Sequence, residues 1–301
     1  MTKPLFTGLC TALVTPFIGE KVNYPMLQVL IRRQIEAGIE AIVLCGTTGE
    51  SPTLTMEEKL EIFRVGVQTA AGRCKIIAGT GSNSTASAME LSRLAAGTGV
   101  DGLLVVTPYY NKATQPGLVK HYRAVCEAAR IPVIAYSVPS RTGMGIEVET
   151  CRELAKIPNL AGIKEASGDI SKAARMLEHL HVWSGNDDQT VALMALGGAG
   201  VISVASNVVP EAMNAMVRAA LAGDYPLAAA LHQRLLPLMD ALFCQVNPIP
   251  VKAAMAMADF DCGPCRMPLD DLTEENLERM RISLDELGIL AYNNQNSTKV
   301  S

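Results

Sequence analysis

"AIVLCGTTGESPTLTMEEKLEIFRVGVQTAAGRCKIIAGTG", residues 41–81, decides the fold. It begins and ends on short apolar runs, "AIVLCGTTG" (41–49) and "KIIAGTG" (75–81), of strand length and composition. Between them "TMEEKLEIFRVGVQTAAG" carries apolar residues at helical spacing and opens on Thr55 and Glu58, placed as a capping box. A strand, a helix and a second strand in this order form a crossover unit whose strands run parallel.

The same unit recurs along the chain. Further apolar runs are "GLCTALVTPF" (8–17), "DGLLVVTPYY" (101–110), "IPVIAYSVP" (131–139), "LAGIKEAS" (160–167), "HVWSGND" (181–187) and "GVISVASN" (200–207). That makes eight strands alternating with helical segments such as "PMLQVLIRRQIEAG", so the expected fold is α/β, a parallel (β/α)₈ TIM barrel. Glycines in "EAGIEAIV", "GTGVDGLLVV" and "GGAGVISV" fall where a helix ends and a strand is about to begin, as left-handed C-caps do. They belong to the bottom of a barrel, which makes "LGGAGVIS" a poor phosphate cradle, because barrel phosphate sites follow the late strands.

The barrel is expected over residues 1–222 and a helical region over 223–301, with "PLAAALHQRLLPLMDALF" and "TEENLERMRISLDELGIL" its clearest helices and "NNQNSTKVS" a frayed polar end. Of 301 residues, 49% are hydrophobic and 19% charged, with a net charge of -4, so no nucleic-acid-binding surface is expected. The first residues lack the features of a secretory leader. The uncharged run from Gln189 to Pro210 is broken by glycine, serine and asparagine, so a helix and a strand explain it better than a membrane span. Eight cysteines read as reduced cytosolic thiols. "CGPC" (Cys262–Cys265) has redox or zinc spacing but neither a second ligand pair nor a strand-to-helix setting, and "HLH" (His179, His181) lacks a third ligand.

Chemistry concentrates at the ends of the runs. Alternation puts Gly162, Lys164 and Ala166 on one face of the sixth strand and Ala161, Ile163 and Glu165 on the other, and the small neighbours of Lys164 suit the crowded lumen. A lysine there could pair with Glu165 or reach the rim. At the C-terminal end of a barrel strand, however, it stands where barrel enzymes hold catalytic groups, and desolvation would leave a free amine able to attack a carbonyl. "GTTGES" (46–51) offers Thr47 and Thr48 to a carboxylate, although a turn that only caps the next helix accounts equally well for this motif alone. "TPYYN" (107–111) brings Tyr109, read as packing, and Tyr110, left open. "AYSVPSRTG" (135–143) puts Tyr136 beside the lysine-bearing strand and adds Arg141, a fork for a carboxylate that, taken alone, would more often be a surface arginine.

Taken together, "GTTGES", "TPYYN", "YSVPSRTG" and "GIKEASGD", with "SGND" and "GVISV" after them, closely resemble the dihydrodipicolinate synthase family of pyruvate-dependent class I aldolases, from Gly8 to "NPIPVK" (247–252) and more loosely beyond. The resemblance implies that Lys164 forms a Schiff base with pyruvate and that Tyr136 moves the protons. It also implies that Thr47 links Tyr136 to a Tyr110 supplied across a tight dimer interface. Thr48 and the backbone at Gly185 and Ile202 would bind the pyruvate carboxylate, and Arg141 that of aspartate semialdehyde. Neither metal nor organic cofactor is implied, and the implied assembly is a cytoplasmic tetramer of two tight dimers. Other pyruvate aldolases, such as N-acetylneuraminate lyase or keto-deoxy sugar acid aldolases, share the lysine and tyrosine but generally lack the arginine in this setting. A non-catalytic ligand-binding barrel is the alternative of a different class.

The family resemblance also outlines an effector site for lysine at Asn83, Tyr109, Ser51 and Lys59. Feedback-inhibited relatives have an acid and a histidine where this chain has Ser87 and Lys59. A cation facing the effector's amine and a missing carboxylate should weaken binding by more than about 1.4 kcal/mol, or tenfold. Lysine titrated into an activity assay is therefore expected to inhibit weakly or not at all; an inhibition constant as tight as in the sensitive enzymes would refute this.

Overall fold

The computed structural model describes residues 4–290. Eight parallel strands close into a barrel: β1 (Gly8–Ala12), β2 (Ala41–Leu44), β3 (Lys75–Gly79), β4 (Gly102–Val106), β5 (Val133–Ser137), β6 (Leu160–Glu165), β7 (Val182–Ser184) and β8 (Gly200–Ser203). Each strand hydrogen-bonds to its neighbours in chain order, and β1 pairs with both β2 and β8. All eight expected strands are present. Their C-terminal ends stop short of the apolar runs, because "GTTG", "TPYY" and the "VP" of "SVP" have already left the ladder to form loops at the top of the barrel.

Helices α1 (Tyr24–Glu36), α2 (Met56–Ala70), α3 (Thr85–Ala96) and α4 (Gln115–Ala129) return the chain after the first four strands. After β5 come a one-turn helix α5 (Pro139–Thr142) and α6 (Val148–Leu154), then α7 (Ile170–Met176), α8 (Thr190–Ala195) and α9 (Pro210–Leu221). The capping box at Thr55 and Glu58 opens α2 with both of its reciprocal hydrogen bonds. Gly38, Gly99 and Gly197 take the positive φ expected of helix ends. The uncharged stretch from Gln189 resolves into α8 and β8, and no helix among the described residues is long and apolar enough to cross a membrane.

Two apolar layers result from alternation along the strands. Cys10, Ala12, Ala41, Val43, Ile77, Leu104, Ile134, Tyr136, Trp183 and Ile202 fill the barrel interior, and Phe6 stacks on Trp183 at 5.0 Å between ring centroids to plug its lower end. Leu9, Ile42, Leu44, Val133, Ile163 and Val201 face the helices in the larger cluster. Ala161 departs from the simple alternation and packs against the interior cluster rather than the helix layer. The register between β5 and β6 slips by one residue here, from Val133–Leu160 to Ile134–Gly162, and a bulge of this kind re-aims the extra residue.

Beyond the barrel, α10 (Tyr225–Ala241), α11 (Ile249–Met257) and α12 (Glu274–Glu286) are the C-terminal helices. They are not continuous: residues 258–273, which include "CGPC", form neither helix nor strand. "NNQNSTKVS" lies outside the described residues. The segment 258–273 passes so close to the hairpin formed by Phe17–Ile18 and Lys21–Val22 that a side chain at Gly263, whose φ is +71°, would lie 2.3 Å from the Phe17 carbonyl oxygen. Burial pushes the thiols of Cys262 and Cys265 up to about 12, and the Cys262 Sγ hydrogen-bonds to the Phe260 carbonyl, so the pair is packed as small apolar side chains.

Candidate active site

Lys164 lies in β6 directly opposite Tyr136 of β5, both pointing into the lumen, with the lysine 5% exposed. Its Nζ stands 4.5 Å from the centroid of the Tyr136 ring. Glu165, the neighbour with which the lysine could have paired, faces the opposite way. Its Oε1 accepts the Ser167 amide at 2.7 Å, and burial pushes its carboxyl above the usual range. A lysine spent on a structural ion pair with Glu165 is thereby ruled out by the pleat.

A cavity of about 180 Å³ surrounds the amine, and Tyr136, Thr47, Thr48, Arg141 and Gly185 line it. Gly185 is required by closeness: a Cβ there would sit 3.0 Å from Lys164 Cε and 2.6 Å from Ala166 Cβ. The Gly185 amide is engaged by the Glu165 carbonyl at 2.7 Å, so its carbonyl oxygen is the backbone group left to face a ligand. Ile202 lies within the apolar filling of the barrel and does not line the cavity.

Arg141 sits on α5, the one-turn helix that follows β5. The turn is pinned from below, where the hydroxyl of Thr107, in "TPYYN", donates to that of Thr142. The guanidinium reaches across to the carbonyl oxygen of Asn247 at 3.2 Å. Sequence reasoning missed Asn247 because "NPIPVK" belongs to no strand end. An unpaired asparagine in an apolar, proline-bounded segment was the one signal available.

The loop that carries Thr47 and Thr48 is anchored through Glu50, which takes a left-handed backbone (φ 55°) and is fully buried. Its Oε1 pairs with Lys252 Nζ of α11 at 2.6 Å, and its Oε2 accepts the Arg266 amide at 2.8 Å. Arg266 grips Glu58 with two hydrogen bonds, and that contact holds the Glu58 carboxyl below its ordinary value. Lys252 and Arg266 lie 4.3 and 4.4 Å from the Phe17 ring centroid. Asp187, from "SGND", is a third buried acid; its Oδ2 accepts the amides of Val204 and Ala205, and burial pushes its carboxyl up.

Tyr110 is not brought into this cavity. It is 92% exposed in a left-handed backbone (φ 69°), whereas Tyr109 lines an adjoining cavity of about 360 Å³. That larger space also contains Thr47, Tyr136, Ser51, Lys59 and Ser87; Asn83 is not on its wall, and its carbonyl accepts from the Asn111 side chain. Burial lowers the Lys59 ammonium below its ordinary range.

The profile of the dihydrodipicolinate synthetase family matches residues 5–287. This chain belongs to that family. It is 47% identical over 292 residues to the 4-hydroxy-tetrahydrodipicolinate synthase of Thermoanaerobacter sp. (strain X514), covering 95% of this chain and 98% of the relative. The crystal structure of the synthase from Aquifex aeolicus superposes with a TM-score of 0.93 at 42% identity, covering 96% of this chain and all of that one. The chloride-inhibited synthase of Acinetobacter baumannii, solved in complex with pyruvate, superposes equally well at 41% identity, with 95% of this chain and 100% of that chain covered.

The buried Glu50–Lys252 pair generates a test. Lys252→Ala leaves a carboxylate uncompensated and is expected to cost about 3–5 kcal/mol of stability, read from urea unfolding. The double variant Glu50→Gln with Lys252→Met should recover most of it, and a single variant as stable as the parent would show that the pair does not anchor the loop.

Proposed function

We propose that this chain joins pyruvate to L-aspartate 4-semialdehyde through a Schiff base on Lys164, yielding 4-hydroxy-tetrahydrodipicolinate, the committed step towards diaminopimelate and lysine. The observation that carries this reading is the Lys164 nitrogen inside the barrel, 4.5 Å from the Tyr136 ring centroid, in a cavity that Thr47, Thr48 and Arg141 share. Family membership and the pyruvate complex of the Acinetobacter baumannii relative support it.

The amine of Lys164 adds to the pyruvate carbonyl carbon, and loss of water gives the imine. The positively charged imine draws electrons from the adjacent methyl group, which gives up a proton and becomes an enamine. The enamine carbon then bonds to the aldehyde carbon, whose oxygen takes up a proton as the imine is restored. The amino group of the second substrate attacks the imine carbon, closing the ring and releasing the lysine amine. Overall one water is lost. Tyr136, stacked on the amine, is placed to carry the protons. Thr48 holds the pyruvate carboxylate and Arg141, at the cavity mouth, that of the semialdehyde.

Tyr110 enters this scheme from a second copy of the chain. An aromatic that is 92% exposed and held in a left-handed backbone is strained and solvated where it stands, and a tight dimer in which it reaches Thr47 of its partner would use both features. We place two such dimers in a tetramer, and the enzyme in the cytoplasm, where its eight free thiols stay reduced.

Borohydride reduction in the presence of pyruvate should add one pyruvate-derived mass at Lys164, located by peptide mass spectrometry, and Lys164→Ala should take up none. Tyr136→Phe is expected to lower kcat about a hundredfold or more in an assay offering pyruvate with aspartate semialdehyde. An unmodified Lys164 in the parent protein would end the proposal.

A further inference from the structure

Asn247 belongs to the C-terminal segment between α10 and α11, yet it meets both arms of the barrel site. It is 5% exposed and lines the Lys164 cavity. Its Nδ2 donates to Thr48 Oγ1 at 3.0 Å, its backbone carbonyl accepts from Arg141, and its buried Oδ1 has no partner. A buried amide oxygen without a partner, on the wall of a cavity, is a group waiting for a ligand.

We infer that Asn247 is a positioning residue of the condensation, one that sets the direction of the hydrogen bond at Thr48. This rests on the proposed role of Thr48 toward the pyruvate carboxylate. A hydroxyl has one proton and two lone pairs. Because the Asn247 amide donates into Thr48 Oγ1, the threonine's own proton is left to point elsewhere, and the cavity receives a donor. A carboxylate needs a donor. An acid of the same shape at 247 can only accept when ionised, so Thr48 would turn its proton away and present lone pairs to the substrate. The contact with Arg141 is made through the backbone carbonyl, which no side-chain substitution removes. The two substrates are therefore expected to respond differently to changes at this one residue.

The test is Asn247→Asp, assayed at pH 8, with KM determined for each substrate separately. The KM for pyruvate should rise about tenfold or more, while the KM for the semialdehyde and kcat at saturating pyruvate change far less. Borohydride should still trap pyruvate on Lys164 of the variant once pyruvate is saturating. Asn247→Ala removes the donor without adding charge, so its KM for pyruvate should move the same way by a smaller factor. A pyruvate KM within twofold of the parent in both variants would overturn the inference. So would a parallel rise in both KM values with a lowered melting temperature, the pattern of a purely structural role. If the parent protein itself forms no adduct with pyruvate, the functional reading fails first; if the parent traps pyruvate normally and the variants bind it as well, only the role of Asn247 falls.

Discussion

One contact organises the molecule: an amine held inside a closed sheet, against the ring of a phenol on the neighbouring strand. Everything near it keeps that amine from being satisfied elsewhere. The pleat turns Glu165 to the outside, where it is engaged by the Ser167 amide. Gly185 lets the next strand come within van der Waals reach of the lysine stem. Phe6 and Trp183 seal the lower end, so the space around the nitrogen opens only toward the top loops. A structural lysine would have been given a carboxylate; this one is given room.

The barrel alone does not complete the site. Thr47 and Thr48 ride on a loop whose position depends on Glu50, and Glu50 is held by Lys252 and Arg266 from the far end of the chain. The C-terminal segment also supplies Asn247, which touches Thr48 and Arg141 together. The helices after the eighth strand thus brace the mouth of the barrel from outside. A buried ion pair is weak support for stability in general, but it is directional, and direction is what a loop bearing two cavity-lining hydroxyls needs.

Much of this could be read in advance from local pattern. The alternation of short apolar runs and amphipathic segments recovered every barrel strand, since each reflects a period that the chain obeys over a few residues. Lys164 and Tyr136 were visible because they stand at strand ends, and Arg141 because it follows one, where barrel topology concentrates function. Ala161 was misplaced because a bulge shifts the pleat by one residue without leaving a mark in composition. The contacts of Asn247, Glu50 and Lys252 were not legible, for their partners lie about two hundred residues away, as in the 199-residue separation between Asn247 and Thr48.

The amino-acid sequence by itself determined the strand order, the parallel barrel and which face of β6 carries a lysine, because periodicity and glycine placement are properties of neighbouring residues. Only the tertiary structure decided which groups surround that lysine, that Glu165 is turned from it, and that Tyr110 stands clear of the cavity of its own chain. Those outcomes depend on closing the sheet. Closure brings together side chains from opposite ends of the chain, and the resulting distances are fixed by packing rather than by any local preference.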